Sequence, residues 1–158
     1  MIVDLLRNDL GRVCEFGSVK VDKLCDIEEH PTFFHLVSTI EGQLRDNTSF
    51  SDILRAVFPC GSITGAPKIS TMKIIDTIEP TARGLSMGAI GYHLPSSWNA
   101  GLATFDLNVA IRTMVIDGQK ATFNVGGGIV IDSEPENEWD ETTTKATALM
   151  KSIGGRFG

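Results

Sequence analysis

Cysteine is scarce in this chain: Cys14, Cys25 and Cys60 are the only three. An odd number, at spacings that match no zinc or redox motif, argues against a disulfide framework and for buried or free thiols in a reducing cytosol. No apolar run is long enough to span a bilayer, and no signal-peptide pattern is present. Together these absences predict a cytoplasmic protein with no membrane partner. A basic stripe is missing too. The formal net charge of −6 argues against a nucleic-acid partner. It also means that an anionic ligand must be drawn in by local groups, since the global field repels it. No internal repeat, low-complexity tract or linker interrupts the 158 residues, a length that fits one domain or part of a larger one.

What is present alternates between helical and strand patterns. Residues 1–10 read as a helix, with Ile2, Leu5, Leu6 and Leu10 on one face. Nothing caps its start, so the expectation is that an upstream part is absent and that Met1 is an internal methionine of a longer protein. Short and longer strands are predicted over 18–24 and 33–44. A helix over 51–58 is opened by a serine cap. A second helix is predicted over 67–78, capped by Thr64, with Pro67 in its first turn and Pro80 just beyond its end. Strands follow over 87–94, 103–116 and 121–131. Asp117-Gly118 between the last two is a strong hairpin signal. A final helix, opened by a Ser133/Glu136 capping box with Pro135 in its first turn, runs to about Ile153 and stops at Gly154-Gly155. The fold class this predicts is α+β, with mainly antiparallel pairing and flanking helices.

Several groups could carry chemistry. Cys60 to Lys68 places hydroxyls, glycines and a lysine at a predicted helix start, where unpaired N–H groups and the helix dipole favour an anion. It is not a nucleotide P-loop, because three residues separate Gly61 from Gly65 and Ala-Pro precedes the lysine. On the last helix Glu138, Glu141 and Lys145 share one face, beside the apolar stripe of Trp139, Ala146, Met150 and Ile153. Two carboxylates there suit one Mg²⁺ completed by substrate oxygens and water; the plainer alternative is a solvated Glu/Lys face. Alternation along 108–113 puts Asn108, Ala110 and Arg112 on one side of a strand. Small Ala110 leaves room for a ligand that the Arg112 guanidinium could grip as a carboxylate, unless Arg112 is simply a sheet-surface arginine. Gly126-Gly127-Gly128 interrupts a strand, either as a nest of N–H groups for a carboxylate or as a packing bulge. His35, among apolar neighbours, is either a satisfied core group or a proton carrier near neutral pH.

Taken in order, these segments resemble the chorismate-utilising enzymes. The resemblance rests on Asp4-Leu5-Leu6-Arg7-Asn8-Asp9-Leu10-Gly11, on Gly61 to Lys68, and on Gly84 with Gly88-Ala89-Ile90-Gly91-Tyr92. It continues through Ile111-Arg112-Thr113, Gly126 to Ser133, and Glu138 to Glu141 with Lys145. Each segment is weak alone; the ordered set covers nearly the whole chain and is specific. The wording Cys-Gly-Ser-Ile-Thr-Gly-Ala-Pro-Lys is similar to the branch that makes aminodeoxychorismate for para-aminobenzoate and folate. The anthranilate-forming branch is the alternative.

The resemblance implies a component I fold and a set of roles. Glu138 and Glu141 would hold Mg²⁺. Arg112, Gly126, Gly127 and Gly128 would bind substrate carboxylates, Lys145 and Ser62 would contact substrate, and His35 would be the active-site histidine. Relatives often carry tyrosine where Ser86 stands, and this departure leans toward the aminodeoxychorismate-forming branch. The implied partners are chorismate and a glutamine amidotransferase that supplies ammonia. The resemblance further implies that 1–158 is the C-terminal portion of a chorismate-binding domain. A second metal-binding glutamate and a lysine nucleophile would lie upstream, leaving the isolated chain incomplete. A non-catalytic fragment or assembly module is the competing reading. Unpaired sheet edges would then predict a homodimer or exchanged strands.

Overall fold

The computed structural model describes residues 1–30, 33–98 and 104–155. The chain divides into two compact units, Met1–Pro80 and Thr81–Gly158.

The first unit opens with α1 (Ile2–Gly11), which has no side-chain cap. Strands β1 (Lys20–His30) and β2 (Phe33–Glu41) pair antiparallel from Lys20↔Glu41 to His30↔Phe33. The Lys20–Glu41 ion pair of 2.9 Å closes one end of this hairpin. The hairpin is longer on its first strand than the apolar pattern predicts. Register shifts at Val21/Lys23 and Lys23/Asp26 lie beside Cys25, whose φ is +52°. The second strand ends at Glu41, and Leu44 makes an isolated bridge with Cys14.

Helix α2 (Phe50–Val57) is capped by Ser49. Its hydroxyl accepts from the Asp52 N–H while the Asp52 carboxylate accepts from the Ser49 N–H, a reciprocal box. A small core forms where Val13, Cys14 and Ala56 meet Leu10, Val19 and Val57. Burial there pushes the Cys14 thiol pKa up, partly opposed by the Arg45 charge.

The short α3 (Gly61–Thr64) precedes α4 (Lys68–Ile78). Thr64 does not cap α4 as its position suggests. Gly65, at φ +102°, turns the chain after α3, so Thr64 belongs to the preceding turn and its hydroxyl donates to the Cys60 carbonyl at 3.2 Å. The cap of α4 is Pro67.

In the second unit β3 (Ala89–Leu94) pairs antiparallel with β4 (Thr104–Val109). A Cβ on Gly91 would lie 1.9 Å from the Asp106 carbonyl oxygen, so this pairing requires glycine. Ser96–Trp98 forms one 3-10 turn. Strands β5 (Met114–Asp117) and β6 (Lys120–Phe123) form the expected hairpin, with Gly118 at φ +57° in its turn.

Two strand expectations change. The run over 103–116 is not continuous (Ala103 itself lies outside the described residues). It breaks between Val109 and Met114, where Arg112 takes φ +50°. The run over 121–131 stops at Phe123, because three successive glycines give up the side chains that would hold a ladder.

Helix α5 (Pro135–Ser152) closes the unit with Pro at its start. Gly154 sits at φ +71°, and the Gly155 and Gly154 N–H groups donate to the Met150 and Lys151 carbonyls, a Schellman stop. Of the predicted apolar stripe Ala146 is buried, whereas Trp139 is 71% exposed. The three sheets are two-stranded and antiparallel, in keeping with the α+β class. Among the described residues no helix is long and apolar enough to cross a membrane.

Candidate functional site

The second unit gathers one coherent cluster on α5. Ser133 does not cap the helix through Glu136. The N-cap is Glu134, and the Ser133 hydroxyl instead donates to Glu138 Oε1 at 2.6 Å while accepting from the Val130 N–H at 3.1 Å. The other oxygen, Glu138 Oε2, is shut off from solvent and has no hydrogen-bond partner among the described residues. A carboxylate oxygen in that condition is costly unless something positive reaches it.

Gly127 lies directly over Glu138. A Cβ there would come within 2.8 Å of Oε2, so any larger residue would move the carboxylate. One turn further along the helix, the Glu141 carboxylate pairs with Lys145 at 2.5 Å. Lys145 also donates to the Gly126 carbonyl at 3.2 Å and so ties the glycine segment to the helix. None of Gly126, Gly127 and Gly128 takes a positive φ, so the alternating nest expected of them does not form. Their N–H groups have no acceptor among the described residues, which leaves three donors for a ligand.

This donor set fits Mg²⁺. The ion takes one or two carboxylates and completes its octahedron with substrate oxygens and water. Glu138 brings an oxygen with no partner and Glu141 a second carboxylate on the same face. Among the described residues no group of three or more His, Cys, Asp or Glu is placed to hold a metal alone.

Arg112 is exposed and makes no ion pair or side-chain hydrogen bond, with that cluster or elsewhere, among the described residues. Its left-handed backbone carries a conformational cost of about 1–3 kcal/mol. The roomy flank expected at Ala110 is absent: Ala110 is buried, and its backbone bonds to Gly88 and Met87 in both directions.

His35 and Ser62 belong to the first unit. His35 is exposed rather than a core group, since its apolar neighbours Phe34 and Leu36 are exposed too. It stands opposite Glu28 in the hairpin register, and its ring centroid lies 6.4 Å from that of His30. Ser62 is exposed on α3, its hydroxyl 3.1 Å from the Cys60 sulfur.

A residue of equal weight went unread in the sequence. Asp9, only 2% exposed, fills the anion position that the 60–68 segment advertises. Its Oδ2 accepts from the Gly61 N–H at 2.8 Å, and its Oδ1 pairs with Lys68 at 2.7 Å. Lys68 donates also to the Ala56 carbonyl at 3.2 Å. The anion at this helix start is therefore a carboxylate of the chain itself. The available signal was Asp9 within the motif of α1 and Lys68 within the motif of α4, but nothing local joins them.

An α+β scaffold of small antiparallel sheets thus carries a helix that sets the Glu138 carboxylate against a glycine segment, with Glu141 three residues further on. The chain belongs to the chorismate binding enzyme family, whose family model matches residues 1–151. It is 43% identical over 153 residues to anthranilate synthase component 1 of Acinetobacter calcoaceticus, covering 97% of this chain and 30% of that protein. It is 45% identical over 153 residues to aminodeoxychorismate synthase component 1 of Bacillus subtilis (strain 168), covering 97% of this chain and 31% of that one. Among solved structures it is similar to anthranilate synthase component I from Streptococcus pneumoniae TIGR4. There the TM-score is 0.79 at 42% identity, over 94% of this chain and 33% of that chain. The chain thus spans about a third of each of these relatives.

Proposed function

We propose that this chain supplies part of the site of a chorismate-aminating component I, and that the parent protein replaces the C4 hydroxyl of chorismate with an amino group. The product would be 4-amino-4-deoxychorismate, the precursor of para-aminobenzoate, made in the cytoplasm with ammonia from a glutamine amidotransferase partner. The observation that carries this reading is the partnerless Glu138 Oε2 beside Gly127, with Glu141 one turn along the same helix.

Glu138 and Glu141 are the residues that would hold Mg²⁺, which would anchor a substrate carboxylate and offset negative charge that develops on it. The free N–H groups of Gly126, Gly127 and Gly128 are donors for a carboxylate, and Arg112 offers a guanidinium for another. Lys145, poised between Glu141 and Gly126, has an ammonium that can turn to substrate. Hydroxide leaves poorly, so the C4 oxygen needs a proton, and the family resemblance makes His35 the candidate donor. Ser62 offers an exposed hydroxyl to the ligand.

The Gly61–Lys68 wording favours the aminodeoxychorismate product over anthranilate. The comparable identities to an anthranilate synthase component and to an aminodeoxychorismate synthase component do not separate the two products. One assay separates them. The parent protein, given chorismate, Mg²⁺ and ammonium, is expected to yield aminodeoxychorismate; anthranilate with pyruvate would reject that reading. We expect the isolated chain to show no turnover, and measurable turnover would reject its role as a partial site. Each strand keeps an open edge among the described residues, so the isolated chain is expected to self-associate. A clean monomer in light scattering would oppose that.

A further inference from the structure

The environment of Asp9 assigns it more than a packing role. Helix α3 is a single turn, too short to hold its own orientation. Two of its residues face inward: Gly61, held by its N–H to Asp9 Oδ2, and Thr64. With those two inward, Ser62 is turned outward, its hydroxyl beside the Cys60 sulfur. The other Asp9 oxygen holds Lys68 at the start of α4, and Lys68 in turn holds the Ala56 carbonyl at the end of α2. One buried carboxylate therefore fixes the turn that carries Ser62 from both sides. Gly61 permits the approach, since a Cβ there would come 3.1 Å from Asp9 Oδ2.

We propose that Asp9 is a positioning residue, which acts on chorismate only through Ser62. This rests on the reading above, in which Ser62 contacts substrate.

The test uses the full polypeptide with its amidotransferase. Asp9→Leu/Lys68→Met removes the buried charges together, leaving no orphan charge, and takes away the acceptor of the Gly61 N–H. Ser62→Ala is made alone and in that background. Ser62→Ala alone is expected to raise the KM for chorismate about 10-fold, the scale of one lost substrate hydrogen bond. The double variant is expected to raise it by a similar factor with kcat nearly unchanged, and the triple variant to add less than about 2-fold more. Multiplying effects in the triple variant would overturn the proposal, as would an unchanged KM in a folded double variant. Should the double variant not fold, Gly61→Ala carries the same test, because it displaces the turn by a few tenths of an ångström and leaves the ion pair in place. An unchanged KM in Gly61→Ala would then overturn the proposal. An unaffected Ser62→Ala also overturns it while leaving chorismate as the substrate; failure to consume chorismate at all would instead sink the functional reading.

Discussion

Two carboxylates, one in each unit, share a setting and differ in one respect. Asp9 and Glu138 both lie on helices against a glycine. Asp9 has both oxygens engaged, Oδ2 by the Gly61 N–H and Oδ1 by the Lys68 ammonium at 2.7 Å, an ion pair that holds it although no aligned hydrogen bond reaches it. Glu138 has one oxygen engaged by Ser133 and one left bare among the described residues, while Lys145 on the same helix is spent on Glu141 and Gly126. A buried carboxylate that the chain satisfies completely stabilises the fold. One that the chain half satisfies is held ready for something from outside. The same residue chemistry thus separates into structure and function by the count of its partners.

The sharpest way to break this contrast is to remove each carboxylate. Asp9→Ala leaves the Lys68 ammonium buried without its counter-ion. It should cost about 3–5 kcal/mol in urea unfolding, enough to leave little folded protein. Glu138→Ala deletes a bare oxygen along with a bonded one, so its stability should stay within about 1 kcal/mol of the parent. Its Mg²⁺ binding, followed by titration calorimetry on the parent protein, should disappear. If Glu138→Ala unfolds as readily as Asp9→Ala, the two carboxylates have the same job and the contrast fails.

A smaller change probes the half-satisfied site without deleting it. Gly127→Ala puts a methyl 2.8 Å from Glu138 Oε2, and the flexible end of the glutamate can swing aside. Stability should change by less than about 1 kcal/mol, while Mg²⁺ affinity falls about 10-fold, the scale of one displaced ligand. Unchanged affinity would mean that Oε2 does not face the ion.

How far the sequence reveals these features follows from range. Helices α1, α4 and α5 and the β5–β6 hairpin were legible because their signals lie within a few residues: apolar spacing, Asp-Gly, a terminal Gly-Gly. The break at Arg112 was not legible, since Val109, Ile111 and Thr113 keep a strand pattern through the very residue that takes φ +50°. Ser133 reads as a cap by spacing, yet it spends its hydroxyl on Glu138, two residues beyond the capping-box partner Glu136. The carboxylate pair of α5 was legible as a spacing, but the bare oxygen was not, because burial comes from the glycine segment folding over it. Asp9 was the plainest miss, as its partners stand 52 and 59 residues away, at Gly61 and Lys68.

The least effect is expected at a third carboxylate, which calibrates the other two because it is fully exposed. The Ser49 hydroxyl, and after it the Ser49 N–H, donate to Asp52 and hold its carboxyl below the usual range for aspartate. A folded pKa below the unfolded one means that this stabilisation is complete above about pH 4 and is lost as pH falls through the lower, folded value. Ser49→Ala should cost about 1 kcal/mol at neutral pH, as the loss of a helix cap does. The gap between parent and variant should then narrow in acid, because the hydroxyl no longer has a charged partner to favour. A gap that stays constant from pH 6 to pH 2 would show that the cap acts only through the Asp52 N–H.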